Sequence, residues 1–286
     1  MIGISTHILH RISEQDGFQL LSYKPLVGGD INETFLLETN LGTRALKLNS
    51  ANAFPTMFDA EAYGLQLLRN TKTIRIPQIY ATGAIEETSY LIMEYVSAGK
   101  KTANFWQLFG EQLAKLHQQS NATFGLDKDN YIGSLPQYNK VTIDNSADFY
   151  IENRLKPQFQ MAAKNGYTFQ RLERFYNYIK ELIPNEPPAL IHGDLWSGNF
   201  LVGEDGHPCV IDPAVAYAPR EMDIAMMHLF GGFSEELFQY YNTVYPLQKD
   251  WKKRLSLWQL YYLLVHLNLF GSSYLGSVAT IIRQYS

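Results

Sequence analysis

The sequence predicts an α+β protein with two lobes: a small antiparallel sheet lobe that carries one helix, and a larger, mainly helical lobe. In the first third of the 286-residue chain, several short runs alternate apolar and polar residues, as half-buried strands do. From about residue 105 onwards, apolar residues recur at helical spacing instead. The apolar run LIMEYV ends the strand-rich part, so we expect one lobe over residues 1–95 and the other over residues 96–286.

The strands of the first lobe are marked by turn residues. The stretch LVGGDINETFLLET, residues 26–39, predicts a hairpin around Gly28 and Gly29, because glycine pairs favour tight turns. Further strands are predicted at residues 43–49, 76–85 and 89–96.

The strand TRALKLN is predicted to have two different faces. Because side chains alternate along a strand, Leu46 and Leu48 face one way and Lys47 faces the other. The stretch that follows, residues 58–70, has apolar side chains at helical spacing, and Glu61 lies beside that stripe. Lys47 and Glu61 are thus expected on neighbouring elements.

Composition and charge exclude several classes of protein. The net charge is −4 and no dense Lys/Arg run occurs, which argues against nucleic acid or an anionic membrane as a partner. The longest apolar segment, residues 255–270, has 16 residues, several of them polar, whereas a membrane span needs about 20. The N-terminus lacks the pattern of a signal peptide, so we predict a cytoplasmic protein. A monomer and a weak dimer both remain open.

The stretch IHGDLWSGNF, residues 191–200, has the spacing of a phosphoryl-transfer catalytic loop. In such loops an Asp accepts the proton of the attacking hydroxyl, and an Asn five residues later helps to hold magnesium. Asp194 and Asn199 have this spacing, and Asp212 follows at the end of an apolar strand. Carboxylate and amide oxygens suit Mg²⁺. We therefore predict Asp194 as the catalytic base, and Asn199 and Asp212 as magnesium ligands.

A nucleotide would be held mainly by the first lobe. In kinase-like folds a strand lysine grips the α- and β-phosphates of ATP and is held by a helical glutamate. A strand lysine near an acid is by itself usually a solvated surface pair. Together with the downstream acids in the matching order, however, Lys47 and Glu61 predict an ATP site.

Two further stretches are expected to line the ATP site through their backbone. Gly28 and Gly29 lie two strands ahead of Lys47, so their N–H groups are expected to cover the phosphates, although the loop lacks a full G-x-G-x-x-G. Glu94, Tyr95 and Val96, where the lobes meet, are expected to line the adenine pocket.

Each of these motifs also has a simpler interpretation. A His-Gly-Asp tripeptide alone is more often a turn whose Asp caps a helix, but that does not explain the Asn spacing and the second Asp together. We expect His192 to hold the loop by hydrogen bonding, because Asp194 already fills the role of base. Asp223 is expected to brace the same loop.

Several longer stretches resemble the fructosamine kinase (ketosamine-3-kinase) family. The motif HGDLWSGN, with DPA in place of the kinase DFG, is rather specific, whereas HGD with a following Asn is shared more widely. The resemblance covers nearly the whole chain. Its other stretches are FGLDKDNYIGSLPQ at 124–137, RLKPQ at 154–158, IDPAVAYAPREMDIAMMHLFGGF at 211–233 and residues 245–276.

The resemblance implies a two-lobed, protein-kinase-like fold and an activity. Members phosphorylate the sugar 3-hydroxyl of ketosamines with ATP and Mg²⁺, and the unstable 3-phosphate then frees the amine, so the activity is deglycation. The substrate is a small-molecule or protein-bound ketosamine. The matching positions keep the roles predicted above, and Trp196 is implied to face the acceptor sugar.

Two alternatives stay open. An aminoglycoside or choline kinase-like phosphotransferase shares the HGD motif, but its cationic acceptors usually call for a cluster of acids that the helical part does not obviously show. A catalytically inactive nucleotide-binding protein is the other. Intact Lys47, Asp194, Asn199 and Asp212 argue against it, because decay of such a site normally removes one of them.

Overall fold

The computed structural model describes residues 6–26 and 31–285. The first lobe is built on a five-stranded antiparallel sheet with the strand order β1-β2-β3-β5-β4. Its strands are β1 (Leu20–Pro25), β2 (Glu33–Thr39), β3 (Gly42–Ser50), β4 (Ile79–Ile85) and β5 (Thr88–Glu94). The strands β1 and β2 pair as predicted, while Gly28 and Gly29 lie outside the described residues.

The sheet lobe has two helices, so the prediction of one helix was wrong in this detail. The predicted helix is α2 (Met57–Asn70), and α1 (Thr6–Gln15) precedes the sheet. Helix α1 buries Ile8, Leu9 and Ile12 against the outer face of the sheet. These three side chains form a short apolar stripe among polar neighbours, too weak a periodic signal to stand out in the sequence.

The two faces of β3 differ as predicted. Leu46 and Leu48 belong to the apolar core beneath α1, whereas Lys47 points to the opposite side, towards the helical lobe. Because alternation along a strand is a local property of the backbone, it could be predicted without knowing what covers either face.

The rest of the chain is mainly helical, which confirms the predicted α+β class. Its helices are α3 (Phe105–His117), α4 (Ser146–Phe149), α5 (Lys156–Lys164), α6 (Leu172–Leu182), α7 (Glu221–Phe230), α8 (Glu235–Val244), α9 (Trp251–Phe270) and α10 (Leu275–Gln284), with a π-helical turn at Tyr150–Leu155 between α4 and α5. Three short strand pairs lie among them: β6 (Asn130–Ile132) with β7 (Leu135–Gln137), β8 (Ala189–Ile191) with β11 (Ala216–Ala218), and β9 (Phe200–Val202) with β10 (Pro208–Val210).

Helix α9 contains the apolar segment considered as a membrane span, and nine of the 16 side chains of that segment are buried in the core of the helical lobe. Within residues 6–26 and 31–285, no helix is long and apolar enough to cross a membrane. The cytoplasmic location and the lobe boundary at residues 95 and 96 stay predictions.

The short strand pairs bring the polar motif together. Asp194 follows β8, Asn199 directly precedes β9, and Asp212 lies between β10 and β11. Because β8 pairs with β11 and β9 pairs with β10, the loop after β8 and the segment after β10 lie side by side. The pairing of these three-residue strands therefore gathers Asp194, Asn199 and Asp212 at one place.

Candidate active site

A cavity of about 860 Å³ lies between the sheet lobe and the helical lobe. Every predicted site residue within the described chain lines it: Lys47, Glu61, Glu94, Tyr95, Val96, Asp194, Trp196, Asn199 and Asp212. The remaining two predicted residues, Gly28 and Gly29, lie outside the described residues.

The buried ammonium of Lys47 lies between two carboxylates. Its Nζ is 2.6 Å from Oε1 of Glu61 and 2.6 Å from Oδ1 of Asp212. Burial by itself would lower the pKa of Lys47, but the charges of Asp212 and Glu61 outweigh it and raise that pKa. Lys47 is therefore a permanent cation that ties β3, α2 and the Asp212 segment together.

Asp194 and Asn199 are joined directly. The side-chain amide of Asn199 donates to the main-chain oxygen of Asp194 at 2.9 Å and to its Oδ2 at 3.1 Å. Burial, followed by the negative charge of Asp212, raises the pKa of Asp194 to about 7. A carboxylate with a pKa near neutral pH is well suited to accept a proton from a hydroxyl group.

The loop that carries Asp194 is held in place by hydrogen bonds to a buried carboxylate. Asp223, which is fully buried, accepts hydrogen bonds from the main-chain N–H groups of His192 (2.7 Å) and Gly193 (2.8 Å). The ring of His192 makes a hydrogen bond of 2.9 Å to the carbonyl of Ile211, and burial lowers the pKa of His192. The predicted supporting roles of Asp223 and His192 thus agree with the geometry.

The donor set at this end of the cavity fits magnesium. Asp212 presents a carboxylate. The amide nitrogen of Asn199 is held by Asp194, and the side-chain oxygen of Asn199 makes no hydrogen bond within the described residues. Over residues 6–26 and 31–285, no cluster of three or more His, Cys, Asp or Glu could hold a metal by itself. Mg²⁺ typically uses one or two carboxylates together with substrate phosphates, which matches this sparse set.

The strand end at Glu94 is held by its own side chain. The carboxylate of Glu94 lies 2.7 Å from a guanidinium nitrogen of Arg75 and accepts a hydrogen bond of 3.0 Å from the main-chain N–H of Gln78. Tyr95 and Val96 follow on the cavity wall. The carboxylate of Glu94 is therefore already hydrogen-bonded within the protein. Only the backbone of residues 94–96 is left for a hydrogen bond to a ligand at this place.

The opposite end of the cavity is aromatic. Trp196 lies there with its ring centroid 6.3 Å from that of Phe230, and the ring of His266 is 5.1 Å from Phe230 and 5.5 Å from Phe270. The exposed fractions of Trp196, Phe230 and Phe270 are 40%, 42% and 52%. This end presents open ring faces to the cavity.

Sequence reasoning missed the residues that α7 and α9 add to the cavity wall. Tyr262, His266 and Leu269 all line the cavity and are spaced four and three residues apart on α9. That spacing is the available signal, because it places the three side chains on one face of a helix. The signal was hidden, since α9 is apolar on nearly all sides.

The two lobes, the Lys47–Glu61 pair and the Asp194–Asn199–Asp212 cluster define a phosphotransferase of the protein-kinase-like fold. Within that class, the chain can be assigned to one family. Residues 4–286 match the family model described as fructosamine kinase, and the chain belongs to this family.

Individual relatives agree with this assignment. A protein of Enterococcus faecium named a probable ketoamine kinase is 41% identical over 267 residues, which cover 91% of this chain and 94% of the relative. The chloroplastic protein-ribulosamine 3-kinase of Arabidopsis thaliana is 34% identical over 282 residues, which cover 96% of this chain and 85% of the relative.

Solved structures support the same fold. A Haemophilus somnus protein whose name assigns it to the fructosamine-3-kinases superposes with a TM-score of 0.87 at 30% identity, covering 97% of this chain and 96% of that chain. The aminoglycoside phosphotransferase APH(4)-Ia superposes with a TM-score of 0.64 at 17% identity, covering 99% of this chain and 100% of that chain. This second likeness concerns the fold alone.

Proposed function

We propose that this protein is an ATP-dependent ketosamine 3-kinase, which transfers the γ-phosphoryl group of ATP to the sugar 3-hydroxyl of a ketosamine. The observation that carries the proposal is a single cavity with two unlike ends. Lys47, Asp194, Asn199 and Asp212 lie at one end, and an open aromatic surface lies at the other. Spontaneous loss of the 3-phosphate would then release the amine, so the reaction leads to deglycation.

In this proposal, Lys47 binds the α- and β-phosphates and Glu61 keeps it in place. With a triphosphate bound, the ammonium of Lys47 would gain phosphate oxygens as partners in place of Asp212. The carboxylate of Asp212 and the side-chain oxygen of Asn199 would be the groups that hold magnesium. Magnesium, when bound with ATP, neutralises charge on the phosphates. Gly28 and Gly29, which lie outside the described residues, precede β2 in the sequence, and their N–H groups would cover the phosphates.

The adenine base would bind at the strand end next to Arg75. Glu94, Tyr95 and Val96 offer their backbone there, because the Glu94 carboxylate is already held by Arg75 and Gln78.

Asp194 acts as the base. The oxygen of the 3-hydroxyl forms a bond to the γ-phosphorus, the bond from that phosphorus to the β–γ bridging oxygen breaks, and ADP leaves. The proton of the hydroxyl passes to Asp194, whose raised pKa of about 7 favours this transfer. Asn199 fixes the carboxylate through its 3.1 Å hydrogen bond.

Trp196 would give the sugar an aromatic surface, since its ring is half-exposed on the cavity wall. Within residues 6–26 and 31–285, the acids that line the cavity are Glu61, Glu94, Asp194 and Asp212, and each already has a proposed role or a partner of its own. A polycationic aminoglycoside would therefore find few anionic partners at the acceptor end, which favours a ketosamine over that alternative.

An ADP-release assay tests the proposal. The panel contains fructosamine, ribulosamine and erythrulosamine derivatives of small amines and of lysine residues in a protein, with an aminoglycoside and choline as controls. We expect ketosamine-stimulated ADP release and a sugar 3-phosphate detectable by ³¹P NMR. Turnover of the aminoglycoside or choline with no response to any ketosamine would overturn the proposal, and nucleotide binding without any turnover would favour the inactive alternative.

A further inference from the structure

The hairpin of β6 and β7 carries a chain of buried polar side chains for which the proposed reaction has no use. Oδ1 of Asn130 accepts hydrogen bonds of 2.8 Å from the amides of both Gln137 and Asn139. The hydroxyl of Tyr261 on α9 donates to Oε1 of Gln137 at 2.7 Å, and Arg154 donates to Oδ1 of Asn139 at 2.7 Å. All five residues are buried.

This chain of side chains ends on the backbone that follows Asp212. The amide of Asn130 donates to the carbonyl of Val215 at 2.8 Å, and the amide of Gln137 donates to the carbonyl of Ala214 at 3.1 Å. From the other side, the N–H of Ala214 donates to the carbonyl of His192 at 2.9 Å. The segment after Asp212 is therefore held on both sides.

Asp212 needs such support because of its backbone conformation. Its φ angle is +56°, in the left-handed region that residues other than glycine rarely adopt. Such a conformation is strained and persists only where the surroundings hold it. The carbonyl of Asp212 accepts a hydrogen bond of 3.4 Å from the amide of Asn199. The next residue, Pro213, has no N–H to contribute, so the next main-chain anchors are those of Ala214 and Val215.

The same hairpin also contacts the sheet lobe and the cavity. The hydroxyl of Tyr131 donates to the carbonyl of Pro55 at 2.9 Å, just before α2. Tyr131, Ile132 and Gly133 line the cavity. The hairpin is thus a rigid support between the lobes, with its buried amides directed at the Asp212 segment.

We propose that Asn130 and Gln137 are positioning residues for the magnesium site. By holding the carbonyls of Val215 and Ala214, they keep Asp212 in its left-handed conformation, so that its carboxylate is presented to the metal. Tyr261 in turn orients the amide of Gln137. The inference rests on the proposed function, in which Asp212 binds magnesium.

The test is Gln137→Met, which keeps the length of the side chain but removes its amide. Mn²⁺ binding in the presence of ADP, followed by electron paramagnetic resonance, reports on the metal site without any turnover. We expect the Kd for Mn²⁺ to rise about 10-fold, as for other residues that orient metal ligands. Metal-free ADP binding should stay as in the wild type.

Tyr150→Phe is the matched control. The Tyr150 hydroxyl is buried and donates to the carbonyl of Leu257 at 2.7 Å, so its loss removes a comparable hydrogen bond outside the hairpin. The milder variant Tyr261→Phe keeps the test valid if Gln137→Met does not fold. It removes only one hydrogen bond of Gln137, so we expect the Kd for Mn²⁺ to rise about 2- to 3-fold.

A purely structural role predicts a different result. In that case Gln137→Met, Tyr261→Phe and Tyr150→Phe would lower Tm alike and leave the Kd for Mn²⁺ at the wild-type value, which would overturn the inference. Failure of the proposed function is distinguishable from this, because it concerns wild-type turnover of ketosamines, whereas Mn²⁺ binding with ADP is measured without an acceptor.

Discussion

The two ends of the cavity differ in how their side chains are held. At the nucleotide end, Lys47 contacts two carboxylates, and Asn199 bridges two groups of Asp194. At the acceptor end, Trp196 and Phe230 meet only through their rings and are about two-fifths exposed. One end is an interlocked polar network, and the other is an open aromatic surface.

This difference in how the side chains are held matches the chemical task proposed for each end. Phosphoryl transfer depends on polar atoms that are already in place, because little covalent chemistry is left for the protein. Sugar and amine groups can instead be bound by ring faces, which tolerate variation in the ligand. We therefore expect changes at the nucleotide end to lower turnover or stability, and changes at the acceptor end to raise KM for the acceptor.

The largest effect is expected for Asp194→Asn. The variant keeps the shape of the side chain but removes the proton acceptor, so kcat should fall about 10²- to 10⁴-fold. Binding of ATP, measured by calorimetry, should stay near the wild-type value, since the proposed role of Asp194 is to accept the proton of the acceptor hydroxyl and not to bind the nucleotide. A near-normal kcat would show that Asp194 is not the base.

The next effect is expected for Lys47→Met. It leaves the Glu61 carboxylate buried without its cation, which typically lowers the free energy of unfolding by about 3 kcal/mol. Urea unfolding measures this loss. The control is Lys180→Met, because Lys180 pairs with Asp148 at the surface, and such pairs contribute little. Equal losses in both variants would contradict the idea of an interlocked nucleotide end.

Gly198→Ala tests the position of the Trp196 ring without removing it. A Cβ atom at residue 198 would overlap the ring, so Trp196 must move. We expect KM for the ketosamine to rise about 10-fold, equivalent to roughly 1.4 kcal/mol of lost contact, with KM for ATP unchanged. Gly276→Ala is the control, because nothing lies within 4 Å of its added Cβ. An unchanged KM for the ketosamine would show that the Trp196 ring does not bind the acceptor.

The smallest effect is expected for Phe270→Leu at the rim. Phe270 contacts the ring of His266 at 5.5 Å and is half-exposed, so its replacement should raise KM for the ketosamine about 2- to 3-fold. Tyr178→Leu on α6 replaces another half-exposed aromatic residue that is not on the cavity wall, and its KM should not change. A lower kcat in Phe270→Leu would contradict the expectation that changes at the acceptor end affect KM and not turnover.

The nucleotide end could be predicted from sequence to a large extent, because its signals are local. The five-residue step from Asp194 to Asn199 lies in one loop, and the direction of Lys47 follows from alternation in one strand. The roles at Gly28 and Gly29 stay predictions. Helix α1 was missed because its stripe is only three apolar residues long.

Apart from Trp196, the residues of the acceptor end and of the hairpin support could not be predicted, because their contacts join distant segments. Phe230 meets His266 from another helix, and Tyr261 reaches Gln137 across more than 100 residues of chain. In the sequence, His266 and Tyr261 lie in a helix that is apolar on nearly all sides, so the local pattern does not show which of its side chains face the cavity or the hairpin.

By itself, the sequence determined the α+β class, the alternation that directs Lys47 into the cleft, and the spacing of the catalytic loop. These properties depend on backbone geometry over a few residues. Only the tertiary structure decided which rings lie near Trp196 on the cavity wall and which side chains hold the carbonyls of Ala214 and Val215 after Asp212. Both result from side chains that meet after the chain has folded, where packing and buried hydrogen bonds select the partners.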